Sequence, residues 1–360
     1  MTAARWVALV VAVMAVAGLV GCGGSSGGPK GTDIALVTPG TRDDPDWTQE
    51  YVAAVRKVAR RLHVRAVIVD GSKTANIRAT IERVSQHAQL VVVPYPGDRA
   101  TAASVAARTT VPTLVTGDPH ALRKKQLADM EFAAADGAYG EGTMAIHASL
   151  FKAVGIVLCN DAEPLEMANR YRMASDFVAG ARAQSPKSIV FYQHTGDGGP
   201  VSEAQAMAAT EKLTLKNRRK ITASELTEPG AEFVFAECGA SVAGVLNGVL
   251  KADGEHQLIA ITGTKKVVNR ENILLTSILM HPEIGIEQAL RDVRAGSYGT
   301  HAYTMDFVNK GASLLRTGRT PSDAWEAGYA RTVQLRKQHI PLPEATTEEA
   351  LEQYLGPAVE

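Results

Sequence analysis

The stretch TPGTRDDPDWTQ, residues 38–49, brings together side chains that could hold a small planar molecule. Trp47 offers an aromatic face, and a base stacked on such a face gains about 1–3 kcal/mol. Asp43 and Asp44 could accept hydrogen bonds from a ligand, and the hydroxyl of Thr48 could reach a polar edge. The structural alternatives are that Trp47 packs beneath a helix and that the aspartates cap it. We predict that these four residues contact a ligand.

Three later segments carry candidate residues directly after an apolar run. Tyr95 follows LVVVP, although its position between two prolines is equally typical of a rigid turn. Glu163 comes shortly after VGIVL, where a cleft loop belongs. Cys238 and Gly239 follow EFVFAE, and a glycine at that place would permit the close approach of a ligand. We add these four residues to the predicted contacts.

The candidates need a scaffold that holds the ends of several strands side by side. Nine short apolar runs alternate with longer helical patterns such as DWTQEYVAAVRKVARRLH. Nearly continuous apolar runs are typical of strands buried on both faces of a parallel sheet. The alternation therefore predicts an α/β fold with doubly wound, mainly parallel sheets. The runs are IALV (34–37), RAVIVD (65–70), LVVVP (90–94), PTLVTG (112–117), VGIVL (154–158), SIVFYQ (188–193), EFVFAE (232–237), LIAIT (258–262) and LLTSILM (274–280).

The runs are too many for one comfortable sheet of this type, and residues 117–134 interrupt their rhythm. We therefore predict two lobes around a central cleft. The first comprises residues 33–118 and about 258–300, because LIAIT is expected to carry the chain back to it. The second comprises about 135–257, and residues 300–360 are expected to cross the hinge again and end the chain. In such sheets ligands bind beyond the carboxyl ends of the strands.

The composition argues against several classes of function. The 38 Lys and Arg residues balance the 38 Asp and Glu residues, so no net field attracts nucleic acid. No CxxC, HExxH or GxxxxGK[ST] pattern occurs, which argues against a metal centre and a P-loop. We expect no catalytic residue, no metal, no cofactor and no nucleic-acid partner. Two of the three cysteines, Cys159 and Cys238, could form a disulfide or remain buried thiols.

The N-terminal 21 residues are typical of a secretory signal. Arg5 precedes the apolar run WVALVVAVMAVAGLVG, which is too short for a comfortable membrane span. The run ends in LVGC, which resembles a bacterial lipobox, so we predict that Cys22 is lipidated and becomes the new N-terminus. Residues 22–32 would then form a Gly/Ser-rich tether. This places the mature chain on the extracytoplasmic face of the cell membrane, held by its lipid; the alternative is an uncleaved anchor helix.

Several stretches resemble, in order, the basic membrane protein family of lipoproteins, whose best-known members are purine nucleoside receptors of ABC importers. RDDPDWTQ (42–49) resembles the family's D-D-x-S-F-N-Q, and DGAYGEG (136–142) resembles its E-G-A-Y-L-A-G helix. DFVAGA (176–181) is similar to G-F-x-A-G-A, and FVFAECGASVAGV (233–245) is similar to D-V-I-F-x-A-A-G-x-x-G-x-G-V. LLTS (274–277) and the late IPLP also fit. The resemblance covers nearly the whole mature chain.

This resemblance implies a type 1 periplasmic-binding-protein fold, with two lobes joined by three crossovers. It places Trp47 where the family has a Phe that stacks on the base, and Thr48 where the family has Asn. It also aligns Phe177 with a family aromatic residue, which makes Phe177 a candidate contact. Helical spacing with Val178 and Ala181 favours a core position for Phe177 instead.

The sequence departs from the family's nucleoside receptors in two places. Gly263 and Thr264 stand where those receptors have a carboxylate that holds the ribose hydroxyls, and we include both as candidate contacts. Met280 and His281 stand where the receptors carry a lysine. A threonine accepts sugar hydroxyls less well than a carboxylate does. Free bases and other ring-bearing solutes are therefore predicted alongside nucleosides.

Together these features predict a lipid-anchored solute-binding protein of an ABC importer rather than an enzyme. Its partners would be a small-molecule ligand and a membrane permease. Two alternatives remain open at the level of the sequence. One is a lipid-anchored sensor that reports its ligand to another membrane partner, and the other is a nucleosidase-like hydrolase that uses the same cleft.

Overall fold

The computed structural model describes residues 31–38, 47–71, 76–94, 98–116, 122–160, 164–196, 201–215, 230–238, 241–251, 258–262 and 273–356. Within these ranges the chain forms twelve strands and ten helices, numbered here in chain order. The strands are β1 (Thr32–Thr38), β2 (Ala66–Asp70), β3 (Ala88–Val93), β4 (Thr113–Thr116), β5 (Leu127–Phe132), β6 (Ala153–Cys159), β7 (Ile189–Thr195), β8 (Phe233–Glu237), β9 (Leu258–Thr262), β10 (Leu274–Met280), β11 (Tyr303–Met305) and β12 (Ala312–Arg316). The helices are α1 (Trp47–Leu62), α2 (Ile77–Ser85), α3 (Arg99–Thr109), α4 (Ala134–Ala148), α5 (Pro164–Gln184), α6 (Glu203–Leu215), α7 (Val242–Lys251), α8 (Pro282–Ala295), α9 (Ser322–Gln338) and α10 (Glu348–Leu355).

The strands form two six-stranded sheets. The first has the order β11-β5-β4-β3-β1-β2, with all of its pairings parallel. The second has the order β12-β10-β9-β8-β6-β7, in which β12 runs antiparallel to β10 and the other pairings are parallel. We term the first sheet with α1, α2, α3 and α8 lobe 1, and the second sheet with the remaining helices lobe 2. The predicted α/β fold with mainly parallel sheets is confirmed.

Helices bury each sheet on both faces, which explains the nearly continuous apolar runs. In β1, Leu36 packs with residues of α1 and α8, whereas Val37 packs with residues of α2 and α3. In β6, Leu158 packs with residues of α4 and α5, whereas Val157 packs with residues of α6 and α7. Because successive side chains of a strand point to opposite faces, every position must be apolar.

One expectation about the lobes is wrong. LIAIT was expected to return the chain to lobe 1, but β9 pairs with β8 on one side and with β10 on the other, inside lobe 2. The chain returns to lobe 1 only after β10. The sequence could not show this, because strands buried in either sheet carry the same apolar composition.

The chain passes between the lobes at three places. Ala133 separates β5 from α4, His281 separates β10 from α8, and residues 306–311 separate β11 from β12. Phe132, at the first of these crossovers, packs against the cores of both lobes. The three crossovers agree with the type 1 periplasmic-binding-protein fold that the resemblance implied.

Two glycines let α4 and α5 approach backbone to backbone in lobe 2. A Cβ added at Gly142 would lie 1.9 Å from the carbonyl oxygen of Phe177, and one at Gly180 would lie 1.9 Å from that of Tyr139. No side chain fits at such a distance. The last glycine of the DGAYGEG stretch and the glycine of DFVAGA therefore serve this helix contact.

Candidate functional site

The carboxyl ends of the two sheets come together at the crossovers, and this shared edge is the candidate functional site. β5 of lobe 1 ends at Phe132, and α4 of lobe 2 begins at Ala134. β10 of lobe 2 ends at Met280, and α8 of lobe 1 begins at Pro282. Because parallel strands end at the same edge of a sheet, the other strand ends of each lobe lie along the same cleft.

Polar side chains end three strands of lobe 1. Thr38 ends β1, Asp70 ends β2 and Thr116 ends β4, and the first two are buried. The hydroxyl of Thr38 donates a hydrogen bond to the carbonyl oxygen of Val69 (3.3 Å). The Oγ1 atom of Thr116 lies 2.9 Å from the hydroxyl of Tyr51, which ties α1 to the end of β4.

Thr48 is buried in α1, three residues before Tyr51. Tyr51 is also buried, and its ring stands edge-on to Phe132, with centroids 6.5 Å apart at 87°. Burial raises the pKa of the Tyr51 hydroxyl, which therefore stays protonated at neutral pH. Thr48 thus belongs to a packed wall of lobe 1, and its contact with a ligand stays a prediction.

Most of the other predicted contacts lie outside the described residues. These are Asp43, Asp44, Tyr95, Glu163, Gly239, Gly263 and Thr264, together with the proposed lipid site Cys22. Trp47 is the first residue of α1, but its side chain also lies outside the described part of the chain. These assignments stay predictions, and the structure describes the strand ends that precede several of them.

Cys238 forms a disulfide with Cys159, with the two Cα atoms 4.7 Å apart. Leu158 of β6 pairs in register with Glu237 of β8, so the bridge joins the ends of two neighbouring strands. The sequence left open whether these cysteines pair. Because both sulfurs are in the bridge, Cys238 offers no thiol to a ligand. Its role is to hold together the strand ends from which residues 161–163 and 239–240 continue.

Phe177 is completely buried in lobe 2. Its ring stacks on Phe235 of β8, with centroids 4.7 Å apart at 26°. The prediction that Phe177 contacts a ligand is therefore wrong. Phe177 is part of the core, as its helical spacing indicated.

Two glutamates that sequence reasoning did not single out lie beneath the cleft edge of lobe 2. Glu237 ends β8 with 8% of its surface exposed, and Glu141 of α4 is completely buried. Neither oxygen of Glu141, nor Oε1 of Glu237, has a hydrogen-bond partner. Burial raises the pKa of Glu237 to about 8. Burial and the charge of Glu237 raise the pKa of Glu141 well above its usual range, and the backbone of Ile278 offsets part of this.

Arg170 of α5 is the cation close to this pair. Its guanidinium donates to the carbonyl oxygen of Cys159 and to Glu166 (2.8 Å). Its positive charge lowers the pKa of Glu237 in part, whereas the negative charge of Glu166 raises it. The guanidinium therefore acts on two carboxyl groups, Glu166 and Glu237, and also donates to the carbonyl oxygen of Cys159.

A second pair of buried acids lies nearer the hinge. Asp176 of α5 is completely buried, and neither of its carboxyl oxygens has a partner. Burial, followed by the charge of Asp136, raises its pKa to about 8. Burial raises the pKa of Asp136 to about 6, against the attraction of Arg336.

One signal for these acids was visible in the sequence. Glu237 closes an otherwise apolar strand, FVFAE, at the end where ligands bind. Glu141 was harder to find, because it stands among glycines and alanines in a helix with no clear polar face. Its burial becomes visible only when α4 is placed between the sheet and α5.

Two further properties bear on what the site can do. Among the described residues, no group of three or more His, Cys, Asp or Glu side chains could hold a metal ion. Within the same ranges, no helix is long and apolar enough to cross a membrane.

A family model described as ABC transporter substrate-binding protein PnrA-like (Bmp) matches residues 32–299. No curated protein matches the sequence.

Solved structures of similar fold include two ABC transporter solute-binding proteins. One is from Conexibacter woesei, with 17% identity and a TM-score of 0.69, covering 88% of this chain and 100% of that chain. The other is from Aeropyrum pernix, with 14% identity and a TM-score of 0.62, covering 90% of each chain. A transcriptional activator of the comK gene from Bacillus halodurans has the fold as well, with 13% identity and a TM-score of 0.66 over 86% of this chain and 99% of that chain. At these identities the likeness shows the fold alone.

Proposed function

The chain belongs to the Bmp family of PnrA-like ABC transporter substrate-binding proteins, and we propose that it is a lipid-anchored receptor for a nucleoside, nucleobase or related ring-bearing solute. It would deliver this solute to a membrane permease. Proteins of this family are extracytoplasmic and bind solutes for ABC transporters. The observation that carries the proposal is the family match over residues 32–299, on a chain whose two sheets direct their carboxyl ends to one cleft.

The ligand would bind between the lobes. On lobe 1 it would stack on Trp47, donate hydrogen bonds to Asp43 and Asp44, and meet the hydroxyl of Thr48 at the start of α1. On lobe 2 it would meet the segments that follow β6 and β8, the two strands whose ends the Cys159–Cys238 bridge joins. The remaining proposed contacts are Tyr95, Glu163, Gly239, Gly263 and Thr264.

Transport by such a protein requires no chemical step. Binding a ligand that touches both lobes stabilises a closed arrangement, and a permease recognises that arrangement. The three short crossovers are the segments about which two lobes of this kind can move. The proposal therefore asks only for a ligand with contacts to both sides.

Titration calorimetry of the full chain in detergent, against matched nucleobases, nucleosides and simple sugars, tests the ligand class. We expect a ring-bearing solute to bind and Trp47→Ala to weaken it about tenfold or more, because base stacking contributes about 1–3 kcal/mol. Trp325→Ala is the matched control, since it removes an indole from α9 of lobe 2. Tight binding of an aliphatic sugar, unchanged by Trp47→Ala, would contradict the stacking site.

The lipid anchor is tested separately. Cys22→Ser should move the protein from the detergent phase to the aqueous phase, because a thioether-linked lipid needs the cysteine sulfur. Unchanged partitioning would show that the N-terminal segment itself holds the membrane.

The two other roles that the sequence left open have distinct tests. A hydrolase would release free base from nucleosides during prolonged incubation, and we expect none. A sensor would bind its ligand equally well but would not support uptake of labelled solute by a reconstituted permease, and we expect uptake.

A further inference from the structure

The cluster formed by Glu141, Glu237, Arg170 and Glu166 has more acceptors than donors. The guanidinium of Arg170 acts on Glu237 and Glu166, and it already donates to Glu166 and to the carbonyl oxygen of Cys159. Three carboxyl oxygens of Glu141 and Glu237 are buried without a hydrogen-bond partner. Polar groups buried without a partner destabilise the folded state. What the cluster lacks is a hydrogen-bond donor from outside.

The position of Glu237 in β8 indicates where such a donor could reach the cluster. Side chains alternate along β8, so Glu237 lies on the same face as Phe233 and Phe235, which α4 and α5 cover. Unlike those two residues it is the last residue of its strand, at the carboxyl edge where ligands of parallel sheets bind. The next residue, Cys238, is fixed by its disulfide. Glu237 is therefore held rigidly at the cleft edge.

We propose that Glu237, backed by Glu141, determines the specificity of lobe 2 by accepting hydrogen bonds from N–H groups of the ligand, such as the amino-substituted edge of a purine ring. This inference rests on the proposed function, because it assigns the ligand chemistry of the same cleft. An amino nitrogen donates to the ionised carboxylate, whereas a carbonyl or phosphate oxygen could only accept from its protonated form. Glu141 does not touch the ligand; the charge of Glu237 raises the pKa of Glu141 further, so Glu237 ionises first and the pair carries one negative charge rather than two.

Proton release is the expected signature. Before binding, burial holds the pKa of Glu237 at about 8, so the carboxyl is mainly protonated at pH 7. N–H donors favour the ionised form, so binding expels a proton. The affinity should therefore rise with pH, up to tenfold per unit, and level off above about pH 8. The charged groups that face Glu237 are Glu141 from α4, with Arg170 and Glu166 from α5.

The experiment uses two ligand pairs that differ in one amino group: adenosine with purine riboside, and guanosine with inosine. Calorimetry of the full chain, in phosphate and in Tris buffer, gives both the affinity and the number of protons released. We expect the amino-bearing member of at least one pair to bind about tenfold to hundredfold more tightly, as for a hydrogen bond to a charged group. In Glu237→Gln this preference and the proton release should both disappear.

Two further variants separate a specific role from general damage. Glu141→Gln should keep both the amino preference and the pH profile, because Glu237 ionises before Glu141 and neutral glutamine replaces a carboxyl that is still protonated. Glu211→Gln makes the same chemical change on α6, where Glu211 pairs with Lys251, and should alter neither readout.

The outcomes distinguish this inference from the proposed function. If ring compounds bind with no amino preference and Glu237→Gln changes nothing, the proposed function stands and the inference is wrong. If ring compounds fail to bind but an amine without a ring, such as spermidine, binds in a Glu237-dependent manner, the inference stands and the proposed ligand class is wrong. If neither class binds to the folded protein, both are wrong.

Discussion

The two lobes share a fold but hold several of their acidic side chains in different ways. In lobe 1, Glu283 pairs with Lys57 (2.6 Å), and Glu287 pairs with Arg291 (2.7 Å) and with Arg61. In lobe 2, Glu141 and Asp176 have no hydrogen-bond partner for either oxygen. The pairs of lobe 1 join α1 to α8 and stabilise packing. The acids of lobe 2 bind protons instead, and such groups cluster at functional sites. The contrast is therefore between ion pairs in the α1–α8 packing of lobe 1 and proton-binding carboxyl groups beneath the cleft edge of lobe 2.

The bridge at the strand ends of lobe 2 gives the largest expected effect. It closes a loop of 79 residues, and removing a disulfide of this kind costs about 2–5 kcal/mol. We expect Cys159→Ser with Cys238→Ser to lower the free energy of unfolding of lobe 2 by that amount. Hydrogen exchange followed by mass spectrometry would show faster exchange in β6 and β8 and little change in β1 and β3. Equal loss in both lobes would mean that they unfold as one unit.

The unpaired acids predict a stability that falls as pH rises. The folded-state pKa of Glu237, about 8, lies above its ordinary value of about 4.5, so the folded chain holds a proton that the unfolded chain releases. The stabilisation is complete below about pH 4.5 and is lost as pH approaches 8. Glu237→Gln removes this contribution. We compare the free energy of unfolding of this variant with that of the unmodified chain by urea denaturation. The difference should favour the variant by about 1–3 kcal/mol more at pH 8.5 than at pH 5.

The paired acid of lobe 1 predicts the opposite pH dependence and a smaller effect. Burial alone would raise the pKa of Glu283, but hydrogen bonds from His281 and Lys57 lower it to about 2. Its stabilisation is therefore present above about pH 4.5 and is lost as pH falls towards 2. Glu283→Gln should cost about 0.5–1 kcal/mol at pH 7, because Lys57 is half exposed, and nothing at pH 2. A cost that grows towards low pH would remove the contrast between the lobes.

The sequence predicted elements better than it predicted neighbours. The run LLTSILM coincides with β10, and IALV lies within β1, because alternating burial on two apolar faces leaves a direct trace in composition. The composition of a strand does not show which sheet it joins, so LIAIT was assigned to the wrong lobe. The Cys159–Cys238 pair stayed open for the same reason, since 79 residues separate cysteines that only the β6–β8 pairing brings together.

The same distinction between predicted elements and unpredicted neighbours applies to the candidate site. Thr48 and Cys238 were predicted because loops after strands are where such folds bind ligands, and their ligand contacts stay predictions. The contact between Glu141 and Glu237 could not be predicted, because it depends on how α4 lies across the second sheet. Phe177 shows the reverse case, in which a family resemblance suggested a ligand contact and helical spacing correctly indicated the core.

Exposed ion pairs should give the smallest effect. They also test whether burial, rather than the lobe in which a carboxyl group lies, causes the difference between the lobes. Arg108 pairs with Glu82 in lobe 1, and Lys251 pairs with Glu211 (3.5 Å) in lobe 2, each with at least one partner more than half exposed. Water screens such pairs, so a double-mutant cycle with alanine should give a coupling of less than about 1 kcal/mol in each lobe. It should also be the same in both lobes and shrink in high salt. A strong coupling in lobe 2 alone would mean that its electrostatics differ throughout, and the contrast could then not be assigned to the unpaired acids beneath the cleft.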